Sequence, residues 1–87
     1  MIIVFHKRFK KKYNRLPTKL RDKCDERILL FDRDPRNSSL ENHPLGGDRL
    51  GQWSINITGD YRALYEFSNA NSVVFVDIDT HNKLYKK

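Results

Sequence analysis

One cysteine, Cys24, stands among 87 residues, which excludes an internal disulfide framework and a cysteine-based zinc site. It falls at a core-facing helical position, where inert packing is the ordinary role of a thiol. Long apolar runs are missing too: nothing approaches the roughly 18–20 apolar residues that span a bilayer. The opening Met1-Ile2-Ile3-Val4-Phe5 is too short for a signal peptide, and charge follows it rather than precedes it. A soluble, cytoplasmic protein with no membrane partner is the expectation. Three histidines and scattered acids match no metal-ligand pattern, and no serine or cysteine sits in a nucleophile motif. Gly46-Gly47 lacks the spacing of a phosphate-cradling loop, so it reads as a turn. No metal and no cofactor are expected.

Acidic residues are in deficit. Seventeen Lys and Arg face eleven Asp and Glu, leaving a formal charge of +6. That density attracts a polyanion, and nucleic acid is the commonest one in a cytoplasm, although an acidic protein partner would use the same charge. The length allows one domain, residues 1–87, and a chain this short must place its apolar residues economically. Five Phe, four Tyr and one Trp supply much of the burial.

Ile2 to Phe5 reads as a short strand. From His6 to Arg15 the period changes: Phe5, Phe9, Tyr13 and Leu16 form one stripe of an amphipathic helix whose other faces carry Lys7, Arg8, Lys10, Lys11, Lys12 and Arg15. Leu16-Pro17 breaks it, because the residue before proline is pushed out of the helical region. A second helix over Thr18–Arg33 carries Leu20, Cys24, Ile28 and Phe31 and closes at Asp34-Pro35, giving a helical hairpin. Arg36 to Gly47 is polar and turn-rich and reads as a loop, of a length that is often functional. Trp53, Ile55 and Ile57 then alternate with Gln52, Ser54 and Asn56. Tyr61 to Phe67 and Val73 to Ile78 follow as strands, separated by turns at 58–60 and 68–72. Thr80 to Lys87 reads as a basic, aromatic-tipped tail. The order β-α-α-β-β-β predicts an α+β fold, with the hairpin on one face of a mainly antiparallel sheet and the other face partly open for binding.

If Thr58–Asp60 is a three-residue connection, Asn56 lies directly across from Arg62. Strand ends and loops then gather His43, Asn56, Asp60, Arg62, His81 and Tyr85 toward one edge. Arg62, flanked by apolar strand residues, needs an anion: a phosphate suits its fork, and a salt bridge to Asp60 or Asp79 is the structural alternative. His43 and His81 are suited to proton transfer near neutral pH, though a lone loop histidine is more often merely solvated. Tyr85 is suited to stacking on a base or to pinning the C-terminus. Lys10 and Lys11 on the first helix, and Lys83, are candidate phosphate contacts, against the plainer reading of a solvated charged face.

With these residues in hand, the segments His43-Pro44-Leu45-Gly46-Gly47, Gln52-Trp53-Ser54-Ile55-Asn56-Ile57, Gly59-Asp60-Tyr61-Arg62-Ala63-Leu64-Tyr65 and Asp79-Thr80-His81-Asn82-Lys83-Leu84-Tyr85 resemble the RelE/YafQ branch of the RelE/ParE toxins of bacterial toxin–antitoxin systems. The resemblance implies a RelE-like fold and a ribosome-dependent, metal-independent endoribonuclease that cuts translated mRNA and is held inactive by a cognate antitoxin. It implies catalytic roles for His43, Asp60, His81 and Tyr85 as in YafQ-like members, and for Arg62 as in RelE-like ones. The chain departs at Asn56, where YafQ-like members can carry a histidine; an asparagine can hydrogen-bond a phosphate but cannot move a proton at neutral pH. Two other readings stay open: a ParE-like toxin that inhibits a DNA topoisomerase, and an RNA-binding module with a decayed site.

Overall fold

The computed structural model describes residues 1–85. Its elements are β1 (Ile2–Phe5), α1 (Lys7–Asn14), α2 (Thr18–Arg33), β2 (His43–Pro44), β3 (Gln52–Asn56), β4 (Tyr61–Asn69), β5 (Ser72–Thr80) and α3 (His81–Leu84), with single 3-10 turns at Ser38–Leu40 and Gly47–Arg49. The predicted α+β architecture with a helical pair and a mainly antiparallel sheet is present. The α1 helix begins where His6 Nδ1 accepts the Arg8 N–H at 3.0 Å, and Lys11 and Lys12 stand in its last turn, where cations oppose the helix dipole favourably. The α2 helix runs between Pro17 and Asp34, the bounds its flanking prolines set.

The sheet has the order β1-β5-β4-β3-β2. β1 pairs parallel with β5 and every other pair is antiparallel. The valine-rich β5 thus lies inside, between β1 and β4, as a run apolar on both faces requires. Asn56 pairs with Arg62, so the short connection at 58–60 sets the expected register. A bulge follows: Leu64 faces Asp77 but Tyr65 faces Phe75, leaving Val76 as the extra residue.

The helices cover one face. Phe9, Cys24 and Phe31 pack there against Ile55, Tyr65, Phe75 and Ile78 of the strands. The Phe75 ring lies 5.9, 5.7, 5.6 and 5.5 Å from those of Phe5, Phe9, Phe31 and Tyr65, a cluster whose pairs each add about 0.5–1.5 kcal/mol beyond simple burial. Burial pushes the Cys24 thiol up to about 12, consistent with an inert packing residue.

Two segments differ from the sequence reading. The stretch taken wholly as a loop contains β2, whose His43 pairs with Ser54 and Pro44 with Trp53. The segment from Thr80 is not an open tail over its described part: Thr80 Oγ1 accepts the Lys83 N–H at 3.3 Å and caps the one-turn helix α3. Lys86 and Lys87 of that predicted tail lie outside the described residues. Leu84 is buried, and Arg49 clasps its carbonyl through Nε and Nη2 at 3.0 and 2.6 Å. This clamp holds α3 near β3, since Arg49 Nη1 also donates to Gln52 Oε1 at 3.1 Å.

Candidate active site

Register places two cross-strand rows on the face away from the helical core. His43, Ser54, Leu64 and Asp77 form one; Asn56, Arg62 and Asp79 form the next. Residues directly opposite in a ladder point to the same side, so β2 and β4 present His43 and Arg62 together. The α3 turn adds His81 and, one turn on, Tyr85; their ring centroids are 4.6 Å apart. A cleft of about 250 Å³ is lined by His43, Leu45, Arg62, His81 and Tyr85. Four residues singled out from the sequence therefore share one cavity.

Each is held by identifiable contacts. His43 Nδ1 lies 2.6 Å from the Glu41 carbonyl oxygen. A carbonyl only accepts, so Nδ1 carries a proton, and in the neutral ring Nε2 is the acceptor. The His81 N–H donates to the Asp60 carbonyl at 2.8 Å, which fixes where α3 begins. Arg62 Nη2 donates to Glu41 Oε2 at 2.9 Å, so its anion is neither Asp60 nor Asp79, the structural alternatives considered from sequence. Asp77 and Asp79 are both engaged by Lys12, at 2.8 and 3.2 Å. Partial burial works against the Lys12 charge, but hydrogen bonds and attraction from the two carboxylates outweigh it and raise its pKa.

The remaining expected residues are placed differently. Asn56 sits beside Arg62 in its row but outside the cleft lining. Asp60 has an exposed side chain that does not line the cleft and acts on the site through its backbone. Lys10 borders a separate hollow between α1 and α2, and Lys11 is exposed on α1; neither lines the cleft. Lys83 is exposed on α3, also outside the lining. Sequence reasoning missed Glu41, Leu45, Lys12 and Arg49. Their links to the site span 21 to 67 residues, from Glu41–Arg62 to Lys12–Asp79, and no local pattern announces such pairs. Leu45 alone had a signal, as the third residue of His43-Pro44-Leu45.

Buried side-chain atoms without a partner concentrate here. Among the described residues they are Ser54 Oγ, Asn56 Oδ1, Arg62 Nη1, Tyr85 OH and, elsewhere, Arg27 Nε. Buried polar groups are normally satisfied, and of these residues Arg62 and Tyr85 line the cleft, where a polar ligand would lie nearest to them. Among the described residues no cluster of His, Cys, Asp and Glu is arranged to hold a metal ion, and no helix is long and apolar enough to cross a membrane.

The fold is that of the RelE/ParE toxin superfamily, as the sequence resemblance implied. The chain is 29% identical over 65 residues to an endoribonuclease, HigB from Proteus vulgaris, a match covering 69% of this chain and 71% of HigB. Its structure superimposes on YafQ from E. coli with a TM-score of 0.80 at 17% identity, covering 95% of this chain and 96% of that one. It also matches the toxin–antitoxin complex RelBE2 from Mycobacterium tuberculosis with a TM-score of 0.67 at 21% identity, covering 92% and 96%. No family model matches the chain.

Proposed function

We propose that the chain, acting as one domain, is the toxin of a toxin–antitoxin pair: an endoribonuclease that cuts translated mRNA on the ribosome, in the cytoplasm, and is held inactive by a cognate antitoxin. The observation that carries this reading is the shared cleft of His43, Arg62, His81 and Tyr85. HigB, a relative by sequence, is named an endoribonuclease, and RelBE2 was solved as a toxin–antitoxin complex, which supports the reading further.

RNA supplies its own nucleophile. The ribose 2′-oxygen attacks the adjacent phosphorus, the bond from phosphorus to the 5′-oxygen breaks, and a 2′,3′-cyclic phosphate remains. A base must take the 2′ proton, an acid must protonate the departing 5′-oxygen, and positive charge must meet the developing phosphorane. His43 is the better base, because its Nδ1 is committed to the Glu41 carbonyl and Nε2 is left to accept. His81 is then the acid. Arg62 holds the phosphate, Asn56 beside it offers its carboxamide, and Tyr85 offers a ring for stacking and a hydroxyl for a hydrogen bond. Asp60 positions His81 through its carbonyl. Lys10, Lys11 and Lys83 extend the cationic surface over longer RNA. No metal takes part in this scheme.

The test is to add the protein to a translating extract and map mRNA ends. New ends inside translated codons, with a 2′,3′-cyclic phosphate on the upstream fragment, are expected. A single 2′-deoxy ribose at the cut position should abolish cleavage there. Intact mRNA alongside relaxed or broken DNA would overturn the reading in favour of a topoisomerase inhibitor.

A further inference from the structure

Arg62 stands where a strand arginine would ordinarily pair across the sheet, for its register partner on β5 is the acid Asp79. That pair is not made. Lys12, reaching from α1, takes both Asp77 and Asp79, and Arg62 turns instead to Glu41. The Arg62 side chain is only 16% exposed, whereas that of Glu41 is 57% exposed and returns to water easily. One arm of the guanidinium, Nη2, holds the carboxylate; the other, Nη1, is buried with no partner. Glu41 also adopts φ 47° and ψ 42°, a left-handed conformation that is uncommon for a residue of this size.

The guanidinium thus has one arm on an exposed carboxylate and the other buried and unpartnered. A phosphodiester presents two non-bridging oxygens and would fill both arms. We propose that Glu41 is an internal stand-in for the substrate phosphate, so that RNA binds by exchange: its phosphate takes Arg62 and the carboxylate is released to solvent. The proposal rests on the RNA-cleaving reading above and adds to it a residue whose side chain sets substrate affinity. Glu41 keeps Arg62 aimed into the cleft while the site is empty, and it weakens capture of any anion unable to use both arms. An ion pair with one exposed partner is worth about a two- to fivefold factor in affinity.

The test uses a short oligoribonucleotide methylated at every 2′-oxygen, which binds but cannot be cut. Its affinity is measured by fluorescence anisotropy for the unaltered protein, for Glu41→Gln and for Glu41→Asn; asparagine tolerates the left-handed backbone. Glu26→Gln removes one equally negative, exposed charge on α2 and serves as the control for net charge. Both Glu41 variants are expected to bind about two- to fivefold more tightly than the unaltered protein. Glu26→Gln should change little, and the gain should vanish when Arg62→Ala is combined with Glu41→Gln. In cleavage assays KM should fall. Tightening no greater than that of Glu26→Gln, weaker binding, or a gain that survives without Arg62 would overturn the stand-in role and leave the nuclease reading intact. Binding that ignores Arg62 in every variant would remove both.

Discussion

The two faces of the sheet are built on opposite terms. On the helix-covered face, apolar side chains meet one another: Phe75 touches four aromatic rings, and Cys24, Ile55 and Ile78 are sealed around it. On the other face, charged and polar groups outnumber their partners, and Ser54, Asn56, Arg62 and Tyr85 each leave a buried atom unbonded. A buried polar atom left unsatisfied costs about 1–3 kcal/mol. In a small domain such a concentration opposes stability. Stability therefore resides on one face, and the function proposed above is assigned to the other.

Substitutions that separate the two faces sharpen this contrast. The largest effect belongs to Phe75→Ala, which opens the middle of the aromatic cluster. It should cost about 3–5 kcal/mol, enough to leave a domain of this size mostly unfolded near 37 °C by thermal melts followed by circular dichroism. A mild loss would mean that the helix face is not the stabilising one. Lys12→Met comes next and tests the boundary between faces, since Lys12 sits on α1 yet neutralises two acids of the open face. Breaking a buried pair costs several kcal/mol; Lys12 is 36% exposed, so about 1–2 kcal/mol is expected here. Its KM for RNA should also rise, because Asp79 is freed to draw Arg62 away from the cleft, and Lys12→Arg should restore both properties. A fall in stability with unchanged KM would show that Lys12 serves packing alone.

The smallest effect concerns titration on the packed face. Burial raises the Cys24 pKa to about 12, so the folded state favours the neutral thiol. The sign follows: this contribution to stability is fully present below the unfolded pKa near 8.5 and is lost as pH rises from there toward 12. Alkylation of Cys24 at pH 8 should accordingly track unfolding, and fast labelling of the folded protein would show that the core is open.

Much of this division is legible in the sequence. Pro17 and Asp34-Pro35 bracket α2 at the residues where it starts and stops, since proline leaves the backbone little choice. The turn at Thr58–Asp60 set the Asn56–Arg62 register, and alternation separated Ile55 from Ser54 and Asn56. What escaped was tertiary. β2 is two residues long and exists through its pairing with β3, so His43-Pro44 shows no strand period. α3 is a single turn held by the Thr80 cap and the Arg49 clasp, and four residues are too few to display periodicity. The partner of Arg62 lay 21 residues upstream in a polar stretch, and the nearer acids that sequence suggested were already spoken for or facing solvent.

The most direct test of the central claim compares cleavage by His43→Ala, His81→Ala and the unaltered protein in a translating extract, with melting temperatures measured in parallel. Because both imidazoles are exposed at the open cleft, their removal should leave the melting temperature nearly unchanged. Each should slow cleavage at least about 100-fold, the lower bound for a lost proton-transfer group. Full-rate cleavage by both variants, at unchanged stability, would contradict the assignment of this cleft as the place where RNA is cut.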